Sequence, residues 1–438
     1  MSLIQLFKIV YEGRSLRYQR LWIVYVLCIV YAKAEFITID SQVGEGRSCV
    51  KQISSLLQDA YGHYPSIEVS KKMIMDADAQ RQSAKWNYFP TPSMEISQRA
   101  GRRGTTLRLD QPLWTGGKLD AISDLASARE DEAEYTLGET SYALAQKVLS
   151  VLQYYIQADG EIKGFSEGKQ QLESLAKMLE RRIEAGVSSE SDRELLHARI
   201  AQIDADLMLA QSKYDMALSQ LELLTGNSEP CAISFAKDRI VRYKISLKKM
   251  EEELLQTHPA LKKLTAKIAM ANAEKKGADA VMMPNISLRA EHQKGTIYDI
   301  EAQDDTVAYV AVSFSPGAGL SAISNIESAK YRVLQAQDEL KVKEQELKES
   351  LVVDYADFIA AAARTESIRQ TIEASQRVLE SYTRLFIAGK RQWLDLVNTS
   401  REVTQNKIAL ATLKAVWITS AYRLALQTGK IEFGNEGK

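Results

Sequence analysis

Arg181-Arg-Ile-Glu-Ala-Gly186 recurs as Arg384-Leu-Phe-Ile-Ala-Gly389, 203 residues further along a chain of 438. Downstream, Gly226 of Leu224-Thr225-Gly226 stands 203 residues before Gly429 of Leu426-Gln427-Thr428-Gly429. Upstream the interval shortens. Asp120–Arg129 is matched by Ser321–Lys330 at 201, and Phe89-Pro90 by Met283-Pro284 at 194. His63-Tyr64-Pro65 is likewise matched by Thr257-His258-Pro259 at 194. Intervals that hold and then step by a few residues mark one duplicated unit with small insertions. The insertions are expected around the hairpins and within the long helices.

The first repeat covers 35–238, with a hairpin at about 92–114 and a helical hairpin at about 118–226. The second covers 239–438, with a hairpin at about 284–315 and a helical hairpin at about 320–428. Each begins with a helix of about thirty residues, from the apolar periodicity. Each return helix carries an a/d seam: Ile200, Leu207, Tyr214 and Leu221, with Ile203, Ala210, Ala217 and Leu224 alongside. The same stripe returns as Val403, Leu410, Trp417 and Leu424, and Ile326, Val333, Leu340 and Leu347 mark the second long helix. Heptads sustained this way predict coiled-coil packing. The first long helix, from Lys118 to Ala185, reaches about 100 Å at ~1.5 Å per residue. Gly160, Gly164 and Gly168 interrupt it and read as a local break, with close helix–helix approach as the alternative.

Between the short and long helices lie two alternating segments. Met94, Ile96 and Gln98 alternate with Glu95, Ser97 and Arg99, and Leu107 and Leu109 with Arg108 and Asp110. Ile286, Leu288 and Ala290 do the same before the strand-forming run Val307–Phe314. Period-two alternation closed by Gly or Pro predicts hairpins and fits membrane-barrel strands. Four strands cannot close a barrel, so a membrane barrel would be shared among chains. Arg99, Arg102 and Arg103 crowd one hairpin tip; Asp299, Glu301, Asp304 and Asp305 crowd the other. The basic tip would meet lipopolysaccharide phosphates or a neighbour's acidic tip, or both loops are simply solvated.

Arg14, Arg17 and Arg20 precede the apolar run Leu21–Tyr31 and Ala32-Lys33-Ala34, which predicts a signal peptide over 1–34. An uncleaved anchor is the alternative. Cleavage would leave Cys49 and Cys231, whose spacing cannot show pairing. With 56 basic and 57 acidic residues, the chain lacks the basic excess of a nucleic-acid binder. No phosphate-binding loop and no Cys/His cluster occurs, and the four histidines are scattered, so neither a cofactor nor an enzyme activity is expected.

Duplicated halves, hairpins flanked by helices, the Arg-x-x-x-Ala-Gly turn and the terminal Thr-Gly together resemble the TolC-like outer-membrane efflux and secretion channels, from about Leu56 to Gly429. The resemblance implies a mainly α protomer with a small β part. It implies a homotrimer with one α-helical barrel and one shared twelve-stranded transmembrane β-barrel, placed in the cell outer membrane and extending into the periplasm. It implies a passive exit duct, engaged by a periplasmic adaptor (membrane fusion protein) and an inner-membrane ABC transporter or proton-driven pump. Type I protein secretion is the expected use, since Cys28 has a poor lipid-anchor context; multidrug efflux is the alternative. A periplasmic adaptor or a coiled-coil scaffold is the alternative of a different class.

By the same resemblance, Arg182, Gly186, Val187, Ala388, Gly389 and Lys390 form the adaptor-contact tips. Asp192, Phe386, Arg391, Asp395 and Asn398 are the entrance candidates. Phe386 replaces the family's tyrosine and Asn398 a second acid, which leaves one expected carboxylate ring, from Asp395. Helix-end solvation is the plainer account of these charges.

Overall fold

The computed structural model describes residues 50–51, 53–99, 102–227, 232–233, 246–295, 303–317 and 321–431. The leader at 1–34, Cys49, Cys231, Asp299 and Glu301 lie outside them. Strand β1 (Val50–Lys51) is followed by α1 (Ile53–His63), α2 (Pro65–Trp86), β2 (Thr91–Arg99), β3 (Arg102–Trp114), α3 (Lys118–Glu184) and α4 (Glu190–Thr225). The second half repeats this as β4 (Ala232–Ile233), α5 (Leu247–Thr257), α6 (Pro259–Ala280), β5 (Asn285–Gly295), β6 (Gln303–Ser313), α7 (Ser321–Ile387) and α8 (Trp393–Gln427).

The expected thirty-residue first helix is two helices in each repeat. Pro65 and Pro259 occupy first helical positions, and Tyr64 and His258 before them are extended at ψ 125°. Proline crowds the preceding residue out of the helical region, so the chain turns there and restarts.

Helices α3 and α7 each run 67 residues, about 100 Å at ~1.5 Å per residue. Towards the tips, α3 packs on α4 and α8, and α8 packs on α7; towards the sheet, α2 packs on α3, and α6 packs on both α3 and α7. Two short helices thus accompany each long one. Gly226 ends α4 with φ 71° where the His63 ring would collide with any Cβ, and Gly429 closes α8 against Thr257 in the same way. Short parallel pairing joins β1 to β4.

The long helices do not keep one interval throughout. Ala126, Leu144, Val148, Tyr155 and Ala158 are buried, and so are Ala329, Leu347, Leu351, Phe358 and Ala361, each 203 residues later. Towards the helix starts, however, Ala121 and Ala128 are buried and so are Ala322 and Ala329, 201 residues later, so the likeness at 201 is in register with the buried face there. The step from 194 arises in the hairpins: β2 and β5 start 194 apart, whereas β3 and β6 start 201 apart.

Nor does α3 break at its glycines. A Cβ at Gly160 would stand 2.4 Å from the Ala411 Cβ, and one at Gly168 would stand 2.5 Å from the Thr404 hydroxyl. The glycines let α8 approach α3, and packing outweighs their poor helix propensity.

The strands form one antiparallel sheet ordered β2-β3-β5-β6, so the two repeats join through β3 and β5. Register places Met94 opposite Leu107, Leu109 opposite Ala290 and Leu288 opposite Val310 on one face. The other face carries Arg108 opposite Glu291 and Asp110 opposite Arg289, with ion pairs of 2.5 and 2.6 Å. Met94, Leu107, Leu109, Leu288 and Val310 are all exposed in the single chain.

Candidate functional site

Both helical hairpins end in the same turn. Gly186 and Gly389 have φ 71°, a left-handed conformation that favours glycine. The Gly186 N–H donates to the Ile183 carbonyl and the Val187 N–H to the Arg182 carbonyl, both at 2.8 Å. In the second tip the Gly389 N–H donates to the Phe386 carbonyl at 2.9 Å and the Lys390 N–H to Leu385 at 2.8 Å. These bonds satisfy the last carbonyls of α3 and α7 and free the chain to reverse. Among the described residues nothing lies within 4 Å of a Cβ placed on either glycine, and Val187, Ala388 and Lys390 project as exposed knobs.

An apolar cluster supports the two turns together: Leu172, Leu175, Leu179 and Leu196 from the first hairpin, and Phe386, Trp393, Leu396 and Val397 from the second. Phe386 is 2% exposed, with its ring 5.5 Å from that of Trp393. The Phe386 ring therefore lies in a packed interior. One turn earlier the Tyr382 hydroxyl accepts from Arg391 at 3.3 Å. The Arg391 guanidinium also lies 4.3 Å from the Tyr382 ring and donates to Asp395 at 3.1 Å. Asp192 caps its own helix, accepting from the Ser189 N–H at 3.4 Å. Asn398 is exposed. Within one chain the structure joins Arg391 to Asp395, and places Asp192 in the other tip.

The sequence reading passed over three groups. Arg193 forks onto Glu180 across the first turn, with Nε 2.9 Å from Oε1 and Nη2 2.8 Å from Oε2, and also pairs with Glu190. These hydrogen bonds hold the Glu180 carboxyl below its ordinary pKa and push the Arg193 guanidinium above its own. Tyr382 and Trp393 complete the second tip. Arg193 was detectable as a base seven residues beyond Gly186 facing an acid six before it. Nothing local marked Tyr382. At the other end of the molecule, Arg103 donates to Gln98 at 3.2 Å and Asp304 lies 3.5 Å from Lys294, so part of the expected tip charge is answered within the sheet.

A duplicated layer of helices about 100 Å long, continued by a four-stranded sheet with one apolar and one charge-paired face, defines the protomer of a helical outer-membrane channel. Residues 56–227 and 251–430 match the outer membrane efflux protein family, and the chain belongs to that family. Protein CyaE of Bordetella pertussis is 25% identical over 340 residues, covering 72% of this chain and 69% of that protein. The alkaline protease secretion protein AprF of Pseudomonas aeruginosa is 22% identical over 344 residues, covering 75% and 70%. Among solved structures, the outer membrane protein VceC of Vibrio cholerae superposes with a TM-score of 0.75 at 16% identity, over 86% of this chain and 96% of that one. The outer-membrane channel OprN gives 0.75 at 16% identity, over 90% and 97%. The chain is an outer-membrane channel component whose helical part extends into the periplasm.

Proposed function

We propose that three copies of this chain form a passive exit duct for type I protein secretion, opened by a periplasmic adaptor and an inner-membrane ABC transporter. The observation that carries this reading is the sheet. Its apolar face suits lipid and its paired charges suit a wet lumen, yet β2 and β6 have no strand beyond them among the described residues. An open edge is not viable in lipid, and three sheets supply twelve strands. The helices agree. Leu209, Met216 and Leu223 on α4 are spaced by seven and exposed, as are Val352 and Ile359 on α7, so each edge of the layer offers an apolar stripe to a neighbouring copy.

Protein cargo is favoured over drugs because the relatives matched over most of their length include one named for alkaline protease secretion. The outer membrane efflux protein BepC of Brucella suis matches over 40% of each chain and keeps multidrug efflux, with a proton-driven pump, as the second reading. The 35–238 and 239–438 repeats would each contribute one tip. Arg182, Gly186, Val187, Ala388, Gly389 and Lys390 would face the adaptor. Asp192, Arg391 and Asp395 would close the entrance, with Phe386 packed behind it and Asn398 towards water. The duct performs no catalysis and needs no cofactor.

A heat-modifiable trimer in the outer-membrane fraction, and the loss of a specific secreted protein on deletion of the chain, are expected. Unchanged secretion with increased drug sensitivity would select efflux. Replacing Asp192, Arg391 and Asp395 by alanine is expected to raise single-channel conductance; unchanged conductance would refute their role at the entrance.

A further inference from the structure

Arg182 belongs to the turn of the first tip, because its carbonyl accepts the Val187 N–H at 2.8 Å and the Ser188 N–H at 3.3 Å. Its side chain belongs to the second. Nη1 donates to the Phe386 carbonyl at 3.2 Å, and the guanidinium carbon lies 4.6 Å from the Phe386 ring centroid. That same carbonyl accepts the Gly389 N–H at 2.9 Å. One residue thus takes part in both terminal turns, although α8 lies between α3 and α7 along much of their length.

Elementary electrostatics gives this contact a direction. Both α3 and α7 end at the tips, and both ends carry the partial negative charge of the helix dipole. A fixed cation between them is attracted to each. It lies over the Phe386 ring while one N–H reaches the carbonyl, a double contact suited to guanidinium rather than ammonium. Among the described residues Arg182 Nε is buried with no hydrogen-bond partner, so the side chain is held there despite one unsatisfied donor. Displacing the second hairpin from the first must break this bond and leave two negative helix ends facing each other.

We propose that Arg182 is an intrachain latch that holds the two helical hairpins of one protomer together at the closed entrance. The proposal rests on the channel reading above. It adds a positioning residue acting within the protomer, distinct from Asp192, Arg391 and Asp395.

The test uses the full-length protein in lipid nanodiscs, spin-labelled at V187C and K390C, two exposed tip positions. R182M retains the apolar stem and removes the fork. The inter-label distance distribution is expected to broaden and lengthen in R182M. The open probability in planar bilayers is expected to rise about tenfold, the equivalent of ~1.4 kcal/mol. R182K is expected to fall between R182M and wild type, since the ammonium reaches the carbonyl without covering the ring. An R182M distance distribution indistinguishable from wild type overturns the latch, whatever the conductance does. Absence of conductance in every variant, wild type included, counts against the channel reading and leaves the distance measurement to judge the latch.

Discussion

The three glycines of α3 allow a sharp test of how closely α3 and α8 pack, through single alanine substitutions. In an isolated helix each would stabilise by ~1 kcal/mol. The structure makes them unequal. An alanine at 160 puts its Cβ 2.4 Å from the Ala411 Cβ and 3.3 Å from the Ala411 Cα, a backbone atom that cannot swing aside. The first distance falls an ångström or more short of the ~3.5–4.0 Å optimum, so α8 must shift. Overpacking of this kind costs ~1–3 kcal/mol, which offsets or exceeds the propensity gain. At 168 the new Cβ meets the Thr404 hydroxyl at 2.5 Å and its methyl at 2.9 Å. Thr404 is buried and its hydroxyl donates to the Ser400 carbonyl at 3.0 Å, so it too resists moving. At 164 the nearest atom is Ile408 Cγ1 at 3.4 Å, an ordinary contact.

Gly164→Ala should therefore stabilise by up to ~1 kcal/mol, whereas Gly160→Ala and Gly168→Ala should be neutral or destabilising by up to ~2 kcal/mol. Thermal unfolding followed by helical circular dichroism at one heating rate ranks the variants, a comparison that survives irreversibility. Three equally stabilising alanines would show that α3 and α8 do not touch there and would refute the packing argument.

His258 caps α6 through Nδ1, which accepts the Ala260 N–H at 3.2 Å, so the neutral ring carries its proton on Nε2. Burial first, then the charge of Lys343, lowers its pKa to about 4, against a weaker opposing pull from Glu139. The unfolded chain then binds more protons between about pH 6.5 and 4; stability present above 6.5 drains away across that window by up to ~3 kcal/mol, and His258→Asn, a cap that does not titrate, should flatten the curve. Replacing Leu209, Met216 and Leu223 together by glutamine should shift native gels from trimer to monomer, while a persisting trimer would place the interface elsewhere. Arg108→Glu should lower heat stability by leaving Glu291 unpaired and facing a like charge, and adding Glu291→Arg should restore it if that pair fixes the β3–β5 register.

The turns and the duplication were legible because they depend on residues whose backbone needs are local. Gly186 and Gly389 sit where the chain must turn left-handed, and the Pro after Tyr64 and His258 forces extension. Even so, the proline break was missed, because apolar periodicity continues across it and periodicity cannot register one extended residue. The likeness of Asp120–Arg129 to Ser321–Lys330 was legible for a different reason: its alanines at 121 and 128, and at 322 and 329, belong to the buried face. Further along, Tyr155 and Phe358 are buried 203 apart, so the two-residue step lies inside the long helices.

The entrance shows where reading stops and why. The Arg391–Asp395 pair is local: Arg391 stands two residues ahead of α8 and pairs with an acid in that helix's first turn. Arg182 and Phe386 are 204 positions apart, and only the folded layer of helices brings them together. The glycine stripe carried the same ambiguity. Its spacing suits a weak point and a close contact equally well, and the choice depends on Ala411 and Thr404 in a helix more than 230 residues away. A break would have let the lower part of α3 swing independently. Close packing instead ties α3 to α8 well above the tips, so a movement that opens the entrance has to be taken up below Gly168, where Arg182 holds the hairpins together.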